Sequence, residues 1–461
     1  MHGIPRDLSQ FWHRSFLSRQ IFLELSFGLL LITSYSSLAL TAKTSNIING
    51  NAPYLTFDGG RTQTTNTDGL LGISLSNGDK YTPTTNSSSL TNPIVLPSAG
   101  QSFADIGMLM PTNTDSIALN SLIGPPYNYW GDDDGDGQDI NGITATGNLS
   151  LTISDKNNQL VARSQILDIC KAPYKLTLSN TQGILKTSYG VPNESRFSAS
   201  NVIYYINPKA PPVICFVKPD MLISSGRYAG PATIWNPEKG FIPQSVTPSS
   251  YGLNFPTTGA HNLYFDLDIG GSNQALSWAP VSLGGITATM TNSTNTSVRV
   301  TLTGPFTTEF IDNAGSNVGK PSLPQIFELV GRDSLGNNVI KYGFELKQWF
   351  VNRGTVRYDY SGTSSWCTGI GYRMPDIKDL TNSDFNNLGA TPSSSGNYYQ
   401  RRINAGFFTE WGAVGNYIDA NFLNYGYWGR VASNNKGIVI NSDSGNVHGN
   451  SATHNGLCAY P

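Results

Sequence analysis

The sequence contains few charged residues and no clear excess of either sign. Charged side chains make up 13% of its 461 residues, and the formal net charge is −2. A protein that binds nucleic acid through the phosphate backbone needs a basic surface. We therefore expect no nucleic acid among the partners of this protein.

The chain also lacks the usual signatures of a catalytic site. Beyond residue 42, histidine occurs only at His261, His448 and His454. None of the three lies in a His-Glu-x-x-His motif, and no Gly-x-Ser-x-Gly nucleophile elbow is present. Aspartate and glutamate could serve a glycosidase, but their spacing distinguishes no pair. The sequence predicts a protein that is not an enzyme.

Long apolar stretches are missing, apart from one near the N-terminus. Residues 21–32 form an apolar run that follows three arginines, and Ala39 or Ala42 offers a small residue for cleavage. This arrangement predicts an export signal in residues 1–42. A membrane anchor is the alternative, although the run is short for a membrane span. We expect the mature chain, 43–461, to have no transmembrane segment and to lie outside the cell or on its outer surface.

Cysteine is rare, and all four cysteines lie in the mature part of the chain. They are Cys170, Cys215, Cys367 and Cys458. An even number in an exported protein predicts disulfide bridges, and four cysteines allow three pairings. We favour Cys170–Cys215 with Cys367–Cys458, because each bridge would then lie within one domain. Free buried thiols are the alternative.

Turn-forming residues, in contrast, are plentiful. The chain has 48 Gly and 26 Pro, and runs of Ser, Thr and Asn separate short apolar stretches. Residues 148–153 alternate apolar and polar side chains, and so do residues 286–290 and 297–302. Strands at this spacing, with no helical period between them, are typical of immunoglobulin-like β-sandwiches. The sequence predicts a mainly β protein with two such modules, in 43–235 and 236–350.

Two details of this strand series are specific enough to check. Residues 166–170 are interpreted as a strand that ends at the first cysteine. Residues 327–333 and 339–346 are interpreted as a hairpin, because the five residues between them are of turn-forming types.

The tail, residues 351–461, has a different character. Pro375 suits the first position of a short helix, and strand-like segments follow later. We predict a small α+β domain that the Cys367–Cys458 bridge closes. On the chain-entropy model, closing a loop of this length stabilises the fold by roughly 4–5 kcal/mol.

The tail is also rich in aromatic residues, and these provide the candidate receptor contacts. Tyrosine and arginine supply much of the binding energy of protein interfaces. The alternative is that the aromatic residues form the core, which we expect for Trp411 and Trp428. The candidates for a receptor surface are Tyr398, Tyr399, Arg401, Arg402, Tyr417 and Tyr425.

An acidic loop is the one candidate metal site. Asp132, Asp134 and Asp136 alternate before Gly137, as in the first half of a calcium-binding loop. The second half does not fit, because Ile143 stands where an EF-hand places its glutamate. We expect a structural Ca²⁺ at this loop, with a solvated acidic turn as the alternative.

Several of these segments resemble one known family. The tail resembles the C-terminal C-type-lectin-like domain of intimin and invasin proteins, through Cys367, Gly371-Tyr372-Arg373-Met374-Pro375, Glu410-Trp411-Gly412, Tyr427-Trp428 and Leu457-Cys458-Ala459-Tyr460. The preceding part resembles an invasin-type adhesion region through residues 70–75, 129–134, 234–237 and 344–350.

The resemblance implies an adhesin. In that family, immunoglobulin-like modules carry a lectin-like domain that binds a protein receptor. We therefore expect attachment to a surface protein of a host or neighbouring cell. The tail lacks the Glu-Pro-Asn or Gln-Pro-Asp triplet with which sugar-binding C-type lectins hold calcium. The alternative to an adhesin is a secreted calcium-dependent carbohydrate-binding protein, which would use the acidic loop. The oligomeric state is left open.

Overall fold

The computed structural model describes residues 49–135, 142–307, 318–449 and 452–461. The predicted export signal and Asp136 lie outside these ranges. Strands predominate over helices along the chain, which confirms the prediction of a mainly β fold. Within the described ranges, no helix is long and apolar enough to span a membrane.

The N-terminal unit, residues 49–207, contains four sheets. The five-stranded sheet has the order Ile94–Val95, Ser200–Asn207, Tyr174–Asn180, Asn148–Ser154, Ser116–Ala118. The three-stranded sheet has the order Glu194–Phe197, Gly183–Lys186, Thr144–Thr146. Two-stranded sheets pair Tyr54–Leu55 with Trp130–Gly131 and Ile73–Ser74 with Lys80–Tyr81. The short helical segments are Thr67–Leu70, Phe103–Asp105, Leu119–Ile123 and Ile169–Lys171.

Alternation of apolar and polar residues builds the core of this unit, as the sequence predicts. Leu149, Leu151 and Ile153 on one strand are buried, while the residues between them are more exposed. They pack with Leu176 and Leu178 on the neighbouring strand in one hydrophobic cluster. The prediction of a strand at residues 166–170 is wrong, since Ile169–Lys171 is a helical turn. Asp168 caps this turn by accepting a hydrogen bond from the backbone N–H of Cys170.

The sandwich unit, residues 213–346, packs two sheets face to face. The seven-stranded sheet has the order Trp235–Asn236, Gly240–Phe241, Val213–Lys218, Leu263–Gly270, Ser297–Thr303, Ile286–Thr291, Val281–Leu283. The three-stranded sheet has the order Ser277–Trp278, Gln325–Arg332, Asn338–Leu346 and includes the predicted hairpin. Helical turns lie at Gly226–Tyr228 and Pro248–Leu253. Phe265 of one sheet meets Phe344 of the other edge to face, with ring centroids 5.9 Å apart.

The predicted boundary at residue 235 falls inside the seven-stranded sheet. The strand Val213–Lys218 already belongs to that sheet, because it pairs with Leu263–Gly270. The junction between the first two units therefore lies near residues 208–212, which include three prolines.

Both predicted disulfides form, but one does not lie within a single domain. Cys170 belongs to the N-terminal unit, whereas Cys215 lies on the first strand of the sandwich unit. The Cys170–Cys215 bridge thus ties the two units together at their junction, and the expectation that it staples one domain is wrong. The Cys367–Cys458 bridge lies within the tail, as expected.

The C-terminal unit, residues 348–461, is the predicted α+β domain. Its sheet has the order Thr258–Ala260, Gln348–Tyr358, His454–Tyr460, Gly426–Val431, Lys436–Asn441, Val447–His448. Its helices are Tyr360–Gly369, Ile377–Leu380 and Phe407–Trp411, with helical turns at Val414–Asn416 and Ile418–Ala420. The predicted helix after Pro375 forms with Asp376 as its N-cap, so Pro375 precedes the helix and does not occupy its first turn.

The C-terminal unit shares its sheet and its core with the sandwich unit. Thr258–Ala260, from the sandwich part of the chain, pairs in parallel with Gln348–Tyr358 at the edge of the sheet. One hydrophobic cluster runs through both units, from Val217 to Ala459. The tail therefore packs against the sandwich unit as one body and is not a separate domain at the end of a linker.

Candidate functional site

Three of the six predicted receptor contacts are inside the protein. Tyr399 and Arg401 are fully buried, and Tyr417 is 2% exposed. A side chain in the core cannot contact a partner of the folded chain, so the prediction is wrong for these three. The expectation that Trp411 and Trp428 form the core is confirmed.

Arg401 connects the C-terminal unit to the sandwich unit. Its guanidinium donates to the carbonyl oxygens of Glu410, at 2.9 Å, and of Asp220, at 2.6 Å. It also lies over the rings of Trp235 and Tyr399, 5.0 Å and 5.4 Å from their centroids. Cation–π contacts and hydrogen bonds to carbonyls compensate part of the desolvation of a buried guanidinium. Arg401 is therefore a structural residue at the seam between the two units.

Glu410 holds the same seam through its carboxylate. This side chain is fully buried, and its two oxygens accept five hydrogen bonds between 2.6 and 3.0 Å. The donors are the backbone N–H and hydroxyl groups of Thr257 and Thr258 in the sandwich unit, and the backbone N–H of Asn404. Burial raises the pKa of Glu410, although the bonds to the two threonines and to Asn404 lower it. The neighbouring Trp411 adds an indole hydrogen bond to the carbonyl of Thr258 at 2.9 Å.

The other three predicted contacts reach the surface. Tyr425 is 54% exposed, and the guanidinium of Arg357 lies 4.6 Å from the centroid of its ring. Tyr398 and Arg402 are half-buried. These side chains are accessible, and their contact with a receptor stays a prediction.

A second accessible area lies where the sandwich and C-terminal units meet, and we call it the junction surface. It surrounds a cavity of about 250 Å³. The ring of Phe306 is 47% exposed and stacks on His261, with centroids 3.8 Å apart. Asp419, from the opposite unit, lines the same cavity. Beside it, Ile418 is 87% exposed, which makes it the most exposed large apolar side chain described in the C-terminal unit.

Sequence reasoning did not identify Ile418 or Phe306. Neither residue belongs to a motif, and an isolated apolar residue in a loop carries no signal of its own exposure. Ile418 lies in the helical turn Ile418–Ala420, and only the burial of its neighbours Tyr417 and Ala420 leaves it facing outward. Asp419, the exposed acidic residue next to Ile418, also belongs to no motif, so the sequence carries no signal that it borders a cavity.

The described part of the acidic loop is hydrogen-bonded to residues 51–63. Asp133 accepts hydrogen bonds from the Tyr54 hydroxyl at 2.7 Å and from the Gln63 amide at 2.9 Å. Asp134 accepts from the backbone N–H of Asn51 at 2.5 Å. The bond to Asp133 raises the pKa of Tyr54. Within the described ranges, no three His, Cys, Asp or Glu side chains cluster as metal ligands, and Asp136 is not among these residues. Calcium binding by Asp132, Asp134 and Asp136 stays a prediction.

Comparison with known proteins gives matches among solved structures. No family model matches the chain, and neither does any curated protein. The crystal structure of invasin, a bacterial integrin-binding protein, aligns with 69% of this chain at 14% identity and a TM-score of 0.35. This chain spans about half, 51%, of the invasin chain.

Two intimin structures also match. A C-terminal intimin fragment, in complex with the intimin-binding domain of the translocated intimin receptor, aligns with 69% of this chain and 88% of its own, at 12% identity and a TM-score of 0.32. An intimin mutant from EHEC O157:H7 aligns with 45% of this chain and 89% of its own, at 16% identity and a TM-score of 0.26. These structures belong to the intimin and invasin family, the family that the sequence itself resembles.

Proposed function

We propose that this protein is an exported adhesin of the intimin and invasin type. In this proposal, it attaches to a surface protein of a host or neighbouring cell and catalyses no reaction. The mature chain is extracellular or lies on the outer cell surface, where its two disulfides are stable. The support comes from the family resemblance of the tail, the N-terminal export pattern and the accessible surfaces of the C-terminal unit.

The observation that carries the proposal is the grouping of side chains at the junction surface, where Ile418, 87% exposed, follows Tyr417 and precedes the cavity residue Asp419. A single exposed apolar residue is ordinary, so the grouping and not the exposure alone indicates a binding surface. The half-exposed ring of Phe306 and the carboxylate of Asp419 border the same cavity, so apolar and charged contacts lie close together. Such a mixture of apolar anchor and polar rim is typical of protein interfaces.

The contact between the sandwich and C-terminal units, which Glu410 makes with Thr257 and Thr258, favours binding because it keeps the junction surface rigid. The junction surface draws residues from two units, and the Glu410 hydrogen bonds hold those units together. A surface that is already rigid loses little conformational entropy when a partner binds. The same seam means that the tail should be tested within the whole mature chain, since an isolated 351–461 fragment would lose the strand Thr258–Ala260.

The test is a cell-binding assay with labelled mature chain and matched variants. Ile418→Asp introduces a charge at the proposed anchor. Leu335→Asp does the same at a control position that is 85% exposed, in the turn between Gln325–Arg332 and Asn338–Leu346 and not among the residues that line the cavity. We expect Ile418→Asp to abolish binding to cells, Leu335→Asp to leave it unchanged, and protease treatment of the cells to remove it.

Two results would contradict the proposal. Normal cell binding by both Ile418→Asp and Phe306→Ala would exclude the junction surface as the receptor site. Binding that survives protease treatment but is lost with calcium chelation, together with a positive glycan array, would favour the carbohydrate-binding alternative.

A further inference from the structure

Arginine and tyrosine side chains from two units form another accessible surface, which shares no residue with the junction surface. We call Arg227, Tyr228 and Tyr398 the Tyr–Arg surface. The guanidinium of Arg227 lies 5.1 Å from the ring centroids of both tyrosines. It also donates a hydrogen bond to the Tyr228 hydroxyl at 3.0 Å. Arg227 is exposed, while the two rings are half-buried.

This surface is held in place from below. Tyr228 comes from the sandwich unit, and its carbonyl accepts a hydrogen bond from the backbone N–H of Arg401 at 2.9 Å. Its ring packs edge to face against the buried ring of Tyr399, with centroids 5.5 Å apart. The hydroxyl of Tyr398 shares a hydrogen bond with Ser395 at 2.6 Å. The planar guanidinium is thus positioned before any partner arrives, which lowers the entropic cost of binding.

The charge of the Tyr–Arg surface is not neutralised within the described ranges. None of the ion pairs in those ranges includes Arg227. The buried Arg401 below bonds to carbonyl oxygens, so its charge also has no carboxylate at ion-pair distance. Asp220 and Asp443 are the acids that act electrostatically on Tyr399, and neither pairs with Arg227. The exposed guanidinium of Arg227 therefore favours the binding of an anion at the Tyr–Arg surface.

We propose that the Tyr–Arg surface binds an acidic segment of a protein partner. A carboxylate can accept two parallel hydrogen bonds from the guanidinium of Arg227, in the geometry that arginine provides and lysine does not. The faces of the tyrosine rings accept the apolar part of a peptide. Leu222, which is 70% exposed and five positions before Arg227 in the chain, is an apolar side chain that a bound peptide could also cover.

This inference is independent of the receptor assignment to the junction surface, and the experiment separates the two. The probe is an oligoglutamate peptide, titrated against the labelled mature chain at low ionic strength. Oligoglutamine and oligogalacturonate serve as the neutral and the acidic-sugar comparison. The variants are Arg227→Gln, Arg227→Lys, Tyr398→Ala and the control Arg332→Gln, which removes an exposed arginine elsewhere in the sandwich unit.

We expect oligoglutamate to bind, oligoglutamine not to bind, and Arg227→Gln to weaken the affinity about tenfold, as the loss of a charge-assisted contact implies. Arg227→Lys should restore only part of the affinity, because an ammonium cannot form the bidentate contact. Tyr398→Ala should weaken binding, whereas Arg332→Gln and Ile418→Asp should leave it unchanged.

The inference is overturned if Arg227→Gln binds oligoglutamate as tightly as the parent protein. Equal or tighter binding of oligogalacturonate, with the same dependence on Arg227, would overturn the assignment to a protein partner. Loss of oligoglutamate binding in Ile418→Asp would also overturn it, because the acidic segment would then bind at the junction surface.

Discussion

Replacement of Glu410 by glutamine tests the seam between the sandwich and C-terminal units. In the parent chain, one carboxylate oxygen accepts from the Thr257 hydroxyl and from the backbone N–H of Asn404. The other oxygen accepts from the backbone N–H groups of Thr257 and Thr258 and from the Thr258 hydroxyl. A glutamine amide has only one acceptor oxygen, so at least one buried N–H group must lose its partner in either orientation.

The magnitude follows from the better of the two orientations. With the amide nitrogen turned toward Asn404, one backbone N–H is left unpaired, which costs about 1–3 kcal/mol. The bonds that remain lose their charge assistance, and such bonds are roughly twice as strong as neutral ones. Relief from burying a charge opposes both terms. We expect Glu410→Gln to lower the free energy of unfolding by about 2–4 kcal/mol.

Urea unfolding of the mature chain, followed by tryptophan fluorescence and calorimetry, measures this change. Glu238→Gln is the matched control, because Glu238 is exposed and should alter stability by less than about 0.5 kcal/mol. A loss below about 0.5 kcal/mol in Glu410→Gln would refute the view that this carboxylate secures the seam.

The pH dependence of the same pair of proteins gives an independent check. Because burial raises the pKa of Glu410, the folded state binds more protons than the unfolded state between the ordinary and the raised value. This contribution to stability is complete below the ordinary pKa and disappears as pH rises through the raised pKa. The stability difference between the parent and Glu410→Gln should therefore shrink as pH rises from about 4 toward neutrality. An unchanged or growing difference would contradict the raised pKa.

Three further predictions concern other parts of the chain. Burial lowers the pKa of His454, so the parent should lose stability as pH falls below about 6.5, while His454→Gln should lose less in a pH series of thermal melts. The double variant Cys170→Ser, Cys215→Ser should keep both hydrophobic cores, but small-angle scattering should show the first two units further apart. Its free energy of unfolding should fall by roughly 4 kcal/mol, because the unfolded chain is no longer cross-linked. An unchanged scattering profile would contradict the tethering role of the bridge. If the acidic loop binds Ca²⁺, millimolar calcium should raise the melting temperature of the parent but not of Asp134→Ala, and no rise in the parent would exclude the site.

Local sequence pattern was sufficient for much of the fold. The alternation of apolar and polar residues predicts the strand Asn148–Ser154. Turn-forming residues predict the hairpin of Gln325–Arg332 with Asn338–Leu346. Both predictions succeed because strand periodicity and turn chemistry are local properties. The helix Tyr360–Gly369 was missed, since its Gly, Ser and Thr residues have poor helix propensity. Packing of Trp366 and Cys367 into the core stabilises that helix, and this packing involves residues distant in sequence.

The sequence by itself determined the mainly β class, because alternation and turn residues are local properties. It also favoured the disulfide pairing that forms, but the reason, one bridge within each domain, holds only for Cys367–Cys458. Only the tertiary structure decided which side chains face outward. Tyr399 and Arg401 look like surface anchors in the sequence, but the sandwich unit covers them. Arg227 and Tyr398 are 171 positions apart by residue number, 398 − 227, and meet only because two units share one seam. Contacts between distant segments depend on how whole units pack, and no local pattern encodes that arrangement.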